Sequence, residues 1–190
     1  MTFAYFDCFA GVAGDMVLGA LLDAGGSPDA LRAGLSGLPV DPFELEVTQV
    51  ERGGIGATHV RVRAERSHVI RTWAYLRGAL AEADLPAPVR DRALGTFGRL
   101  AEAEARIHRK PVDQVHFHEV GAVDAVVDIV GSALLLDDLG VTEVWASPVA
   151  TGTGLVRTEH GMLPERAPAG PRARCGPGRS RWPPATPTPR

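Results

Sequence analysis

Two apolar periods alternate along residues 1–164, and that alternation confines the chain to folds that layer helices on a sheet. Phe3-Ala4-Tyr5-Phe6 reads as a short buried strand, and the loop from Asp7 to Gly14 follows it. Asp15 then stands at a helix N-cap, with Met16, Leu18, Leu21 and Leu22 forming one apolar face. Gly25-Gly26 stops that helix, and Ser27-Pro28 opens a second through about Leu35. Phe43, Leu45 and Val47 alternate with Glu44, Glu46 and Thr48, as do the residues of His59 to Arg63; Arg52-Gly53-Gly54 between them predicts an antiparallel hairpin. After a polar linker at 65–70, helices are expected at 71–83 and 87–108, with Trp73, Tyr75, Leu76 and Leu80 as a core stripe. Residues 112–120 fit no single period. Ala122 to Leu139 is the clearest helix and Gly140 closes it; Val141 to Val149 returns as a strand, and Thr151 to Leu163 reads as a glycine-punctuated hairpin. The expected class is α/β or α+β, a central mixed sheet covered by helices.

Composition narrows the function. Apolar types make up 45% of 190 residues, so the core needs neither disulfides nor metal to form. Three Trp, two Tyr and six Phe are too few for a stacking platform that holds single-stranded nucleic acid. Cys8 and Cys175 are far apart, which fits a reducing compartment, and Cys8 in its apolar setting is expected to be inert. Asp7 and Asp15 interrupt the apolar amino terminus, so no secretory signal is expected. The apolar run from Ile129 to Leu136 is too short to span a bilayer, and a cytoplasmic location without membrane or nucleic-acid partners follows as the expectation. Charge divides the chain. Residues 1–164 carry a balance of −8, whereas 165–190 carry +5 and seven of the fifteen prolines. The second stretch has no apolar period and is expected to be disordered, or else a basic nucleic-acid tail. Its arginines are interleaved with prolines, as in a GC-rich gene read out of frame, so the domain is expected to be 1–164 and 165–190 a tail.

Three segments can carry chemistry. The loop Gly11 to Gly14 enters a helix, where free N–H groups and the helix dipole suit phosphate. Asp7 and Asp15 on either side can hold its divalent counter-ion. The plainer reading is a tight turn with a helix cap. Next come His116, His118 and Glu119, followed by Asp124 and Asp128 one helical turn apart. In an extended segment both imidazoles share a face, roughly 6.6 Å apart. Imidazoles with carboxylates suit nickel, zinc or iron better than magnesium. Against this stands a cap at Asp124, a solvent-facing Asp128 and core histidines. Third is His160 in the last hairpin, a ligand or an ordinary turn residue. His59, His68 and His108 read as surface residues, and no Ser/His/Asp set is legible.

Taken together, the segments resemble one family. Phe6-Asp7-Cys8-Phe9-Ala10-Gly11-Val12-Ala13-Gly14-Asp15-Met16 is similar to the amino terminus of the LarC family. Val115-His116-Phe117-His118-Glu119-Val120-Gly121-Ala122-Val123-Asp124, on through Asp128 and Gly131, resembles its central motif. Ser147-Pro148-Val149, Gly152-Thr153-Gly154 and His160-Gly161-Met162-Leu163-Pro164 resemble a third. The likeness covers essentially all of 1–164. It implies a metal-inserting lyase, a nickel chelatase that places nickel in the pyridinium bis-thiocarboxylate mononucleotide. The product is the nickel-pincer cofactor of lactate racemase, the downstream recipient. It also implies CTP and a divalent cation, manganese or magnesium. Under this reading His116, His118, Glu119, Asp128 and His160 present nickel, and Glu119 or Asp124 accepts the ring proton. Gly11, Gly14, Asp7 and Asp15 seat the mononucleotide phosphate. Two departures stand out. The family continues after Pro164 into a CTP-binding domain that Glu165 onward does not resemble; some members are encoded in two frames joined by frameshifting. The family's histidine tract is here Glu65-Arg66-Ser67-His68-Val69-Ile70, with one histidine. The chain is therefore expected to be inactive or impaired alone. The alternatives are a non-catalytic nickel-binding half needing a separate carboxy-terminal partner, and a metal-dependent phosphohydrolase.

Overall fold

Two strands from opposite ends of the domain pair in parallel: β1 (Thr2–Phe6) and β4 (Val141–Ala146), with Phe3 opposite Glu143 and Tyr5 opposite Trp145. A parallel pair needs a long crossover, and everything from residue 7 to 140 supplies it. The computed structural model describes residues 2–64, 72–117, 123–150, 154–158, 161–164 and 180–181. A two-residue strand, β7 (Ser180–Arg181), pairs antiparallel with the end of β4 and makes the sheet mixed. The rest of 165–190, where disorder is expected, lies outside the described residues, as does the linker at 65–70. Two antiparallel hairpins complete the strands: β2 (Phe43–Arg52) with β3 (Ile55–Ala64), and β5 (Leu155–Thr158) with β6 (Gly161–Pro164).

The helices are α1 (Gly14–Asp23), α2 (Pro28–Ser36), α3 (Trp73–Glu82), α4 (Ala87–His108) and α5 (Val123–Asp138). Local chemistry sets their ends. The Ser27 hydroxyl accepts from Ala30 N–H at 3.1 Å, and Thr72 does the same for Tyr75 at 3.2 Å, so both helices start with a satisfied donor. The centre belongs to α5, which packs against α1, α2 and α4 and buries Val123, Val126, Val127, Val130 and Leu135. It reaches its neighbours through glycine. A methyl group at Gly131 would press on Leu18 and Leu31, and one at Gly34 on Leu134. Gly19 of α1 lies against the Thr58 carbonyl of β3, which binds the hairpin to the helical layer. The expected class, a central mixed sheet covered by helices, is the observed one.

Several expectations need correction. The strand Phe3–Phe6 is buried on one face only: Ala4 and Phe6 pack on the core, while Phe3 is 68% and Tyr5 55% exposed. Tyr75 is also exposed, because Trp73, Leu76 and Leu80 form the buried stripe at spacings of three and four, and position 75 falls off it. The cap of α1 is Ala13, not Asp15; Asp15 sits at the second helical position, where its carboxylate accepts from Met16 N–H at 2.8 Å. His108 is not an isolated surface residue: its Nε2 lies 3.2 Å from Glu104 one turn earlier. β4 stops at Ala146 rather than Val149.

The glycine contacts are testable by thermal melting. Gly19→Ala drives a methyl into a backbone oxygen that cannot rotate away, so a loss of about 1–3 kcal/mol is expected. Gly95→Ala in the exposed middle of α4 meets nothing within 4 Å and is expected to gain about 0.5–1 kcal/mol from chain entropy.

Candidate functional site

Two loops leave the carboxyl ends of β1 and β4, the edge of an open parallel sheet where ligands gather. Backbone bonds zip them together. Ser147 N–H donates to Phe6 O at 2.9 Å, and Ala150 N–H donates to Cys8 O at 3.0 Å. Cys8 N–H donates to the Ser147 hydroxyl at 2.7 Å, and Gly11 N–H turns back to Cys8 O at 3.1 Å. That turn needs φ of +91° at Gly11, a left-handed conformation that glycine adopts without strain. Cys8 is buried, so it serves packing. The chain then enters α1 through Ala13, whose side chain cannot cap the first turn, and the positive end of the helix is left open.

What faces that end is acidic. The Cα of Gly14 rests on the carboxylate of Asp128, so close that any side chain at 14 would overlap it. Asp124 lies one turn before Asp128 on α5, and Asp15 lies beside Gly14 on α1. Burial first, then the charges of Asp124 and Asp15, push the Asp128 carboxyl up to about 6. The exposed Asp15 and Asp124 each tie one oxygen to a local backbone N–H, at 2.8 Å to Met16 and 2.9 Å to Ala125. Three carboxylates at one helix start repel one another. A proton or a cation relieves them, and a phosphate seated on the same helix end needs a cation in between.

The structure thus brings Asp15, Asp124, Asp128 and Gly14 together, with Gly11 in the preceding turn. Asp7 is exposed at the end of β1. His116 is held by other contacts. It forms an isolated bridge with Thr72 and stands between two buried residues, Val115 and Phe117. Trp73 N–H donates to Val115 O at 3.0 Å, and the Phe117 ring lies 6.0 Å from that of Phe97 on α4. Alternation through 115–117 puts His116, half-buried, on the face opposite its two apolar neighbours. His118, Glu119 and His160 lie outside the described residues. Among the described residues no three His, Cys, Asp or Glu side chains stand close enough to hold a metal ion. Sequence reasoning missed Ser147 as the clasp between the loops. Its only signal was its place in the Ser147-Pro148-Val149 motif.

The Asp128 shift has a direct consequence for the metal-free protein. The folded chain holds this proton more tightly than the unfolded chain, so its stabilising effect is full below about pH 4 and is lost as pH rises through about 6. Asp128→Asn removes the ionised, crowded carboxylate. At pH 7 the variant is expected to melt higher by about 1 kcal/mol of stability, a figure discounted for partial solvation, and at pH 4 the difference should vanish. Melts at the two pH values check this.

Comparison with known proteins gives a consistent result. A family model described as nickel insertion protein matches residues 4–172. A putative nickel insertion protein of Roseiflexus castenholzii is 52% identical over 165 residues, covering 87% of this chain and 42% of that protein. A pyridinium-3,5-bisthiocarboxylic acid mononucleotide nickel insertion protein of Desulfitobacterium hafniense is 46% identical over 169 residues, covering 89% of this chain and 42% of its own length. A putative nickel insertion protein of Wolinella succinogenes is likewise 46% identical, over 89% of this chain and 43% of its own. The chain spans under half the length of these curated relatives. No solved structure matches. Among the described residues no helix is long and apolar enough to cross a membrane. The chain belongs to the nickel insertion protein family.

Proposed function

We propose that this chain forms the nickel-handling, mononucleotide-binding half of an enzyme that inserts nickel into the pyridinium bis-thiocarboxylate mononucleotide. The observation that carries the reading is the Asp128 carboxylate set against Gly14 at the start of α1, under the charges of Asp124 and Asp15 and beyond the carboxyl ends of two parallel strands. The phosphate lies on the Gly11–Gly14 turn. Asp7 and Asp15 offer hard oxygen donors to its counter-ion, which suits magnesium or manganese. Nickel arrives as cargo on His116, His118, Glu119, Asp128 and His160, a donor set firm enough to hold it and soft enough to yield it to sulfur. Glu119 or Asp124 accepts the ring proton that nickel displaces. The ion ends bonded to ring carbon between two thiocarboxylate sulfurs, the class of product that lactate racemase receives. CTP, when bound, activates the substrate, and the reaction belongs to the cytoplasm.

A second reading shares the site and withholds the chemistry: a nickel-binding half that completes no reaction until a separate carboxy-terminal half is supplied. Mixing this chain with that half of the Desulfitobacterium relative, substrate, nickel and CTP is expected to yield nickel-loaded mononucleotide by mass spectrometry only when both pieces are present. Product from this chain alone removes the second reading.

Isothermal titration with nickel tests the site itself. Changing His116 and His118 together to alanine is expected to weaken binding at least about tenfold, the usual scale for losing support around a metal. Wild-type affinity should also fall between pH 7 and pH 5, because nickel must displace the Asp128 proton that persists to about pH 6. Unchanged affinity in the double variant takes the imidazoles out of the site.

A further inference from the structure

β1 runs along the edge of its sheet. β4 pairs with one side of it, and among the described residues no strand lies on the other. One bond fixes where its backbone groups point. Phe6 O accepts from Ser147 N–H at 2.9 Å, so Phe6 turns toward the β4 side. The register with β4 is regular from Phe3 to Phe6, and alternation therefore directs the N–H and C=O of Phe3 and Tyr5 to the open side. Natural edges are guarded by charge, proline or a covering segment. β2 carries Glu44, Glu46 and Glu51, whereas Thr2–Phe6 holds no charged residue and no proline. Beside the open edge lies a groove of about 380 Å³, bounded by Ala20, Leu21 and Ala24 of α1 and by Leu139, and no charged side chain lines it. On the outer face Phe3 and Tyr5 are exposed, and Trp145 of β4 stands opposite Tyr5.

The open edge is complementary to a second copy of itself. When two β1 strands run antiparallel about Ala4, Phe3 of each copy faces Tyr5 of the other, and each such pair exchanges both backbone bonds. The two-fold axis makes four bonds, and no outward group of Phe3 or Tyr5 is left over. A shift of one residue sets these groups against inward-turned ones, and a shift of two keeps only one bonded pair within the strands. Side chains agree with this register. Phe3 and Tyr5 of the second copy stand directly opposite on the outer face, where aromatic cross-strand pairs are favourable, and Trp145 extends the row. Under the sheet, Ala20 and Ala24 are small, so the uncharged grooves of two copies can close on each other. We propose that this chain forms a two-fold dimer through β1, joining two sheets of order β1-β4-β7 into one. Bond direction, aromatic pairing and absence of charge all match at a single register of five residues, which an unrelated strand would have to reproduce. Isologous two-fold contacts of this kind are the commonest in oligomers. None of this depends on the nickel reading.

Light scattering on the whole chain over a concentration series is expected to show the mass rising from 20.1 kDa toward twice that value. Tyr5→Pro removes one outward N–H per copy, two of the four bonds, and takes no donor from β4. Tyr5→Lys places a cation opposite Phe3 of the second copy. Each is expected to weaken association about tenfold or more, and melting curves identify the variants that fold. Two measurements do not depend on these variants. Amide exchange at Phe3 and Tyr5 of the wild-type chain should slow as concentration rises. Ala4→Cys in a Cys175→Ser background should cross-link two copies under mild oxidation, because residues facing each other in a pair without mutual hydrogen bonds lie about 4.5 Å apart at Cα, within disulfide reach. The proposal is overturned if the chain stays monomeric at every concentration, if both folded Tyr5 variants dimerise normally, or if no cross-link forms. Protection of Phe3 and Tyr5 that is the same at all concentrations also overturns it, since another segment of this chain then covers the edge. So does protection that appears only on adding a different protein.

Discussion

The apposition of Gly14 on Asp128 determines most of what this domain can do. It requires α1 and α5 to meet at backbone distance, which Gly14 and Gly131 permit by carrying no side chain. The same closeness strips water from Asp128 and sets it at a helix start. Two opposing effects act there. The dipole of α1 favours the ionised carboxylate by at most about 2 kcal/mol, whereas burial and two neighbouring acids favour the neutral one. The carboxyl is raised to about 6, so burial and the like charges win. A site in that state has a standing demand for positive charge, and below about pH 6 a cation that enters must displace the Asp128 proton.

Much of the scaffold was readable because it is local. The limits of α2 and α4 follow from Ser27-Pro28 and from Pro86 with Pro88, and the β2–β3 hairpin from alternation around Gly53-Gly54. Where the reading failed, the deciding contact lay elsewhere. Phe3 and Tyr5 look like core residues in any strand pattern, yet among the described residues no helix covers that face and they stay exposed. Asp15 resembles a cap by composition, yet α1 begins two residues earlier than that cap implies, at Gly14, with Ala13 as its cap. The acid trio was legible only in pieces. Asp124 and Asp128 declare themselves by spacing, but nothing local says that residue 15 joins them, since nearly the whole crossover lies between.

The histidines pose a different problem. Oxygen donors at the start of α1 attract cations in general and do not choose nickel, so selectivity has to come from softer ligands. In the segment before α5, Val115 and Phe117 point into the core and hold the backbone like two pegs. Such anchoring costs little where the side chains are apolar and gives the intervening imidazole a fixed direction. A ligand presented in this way stays in place while its neighbours exchange, which a flexible histidine tract cannot offer.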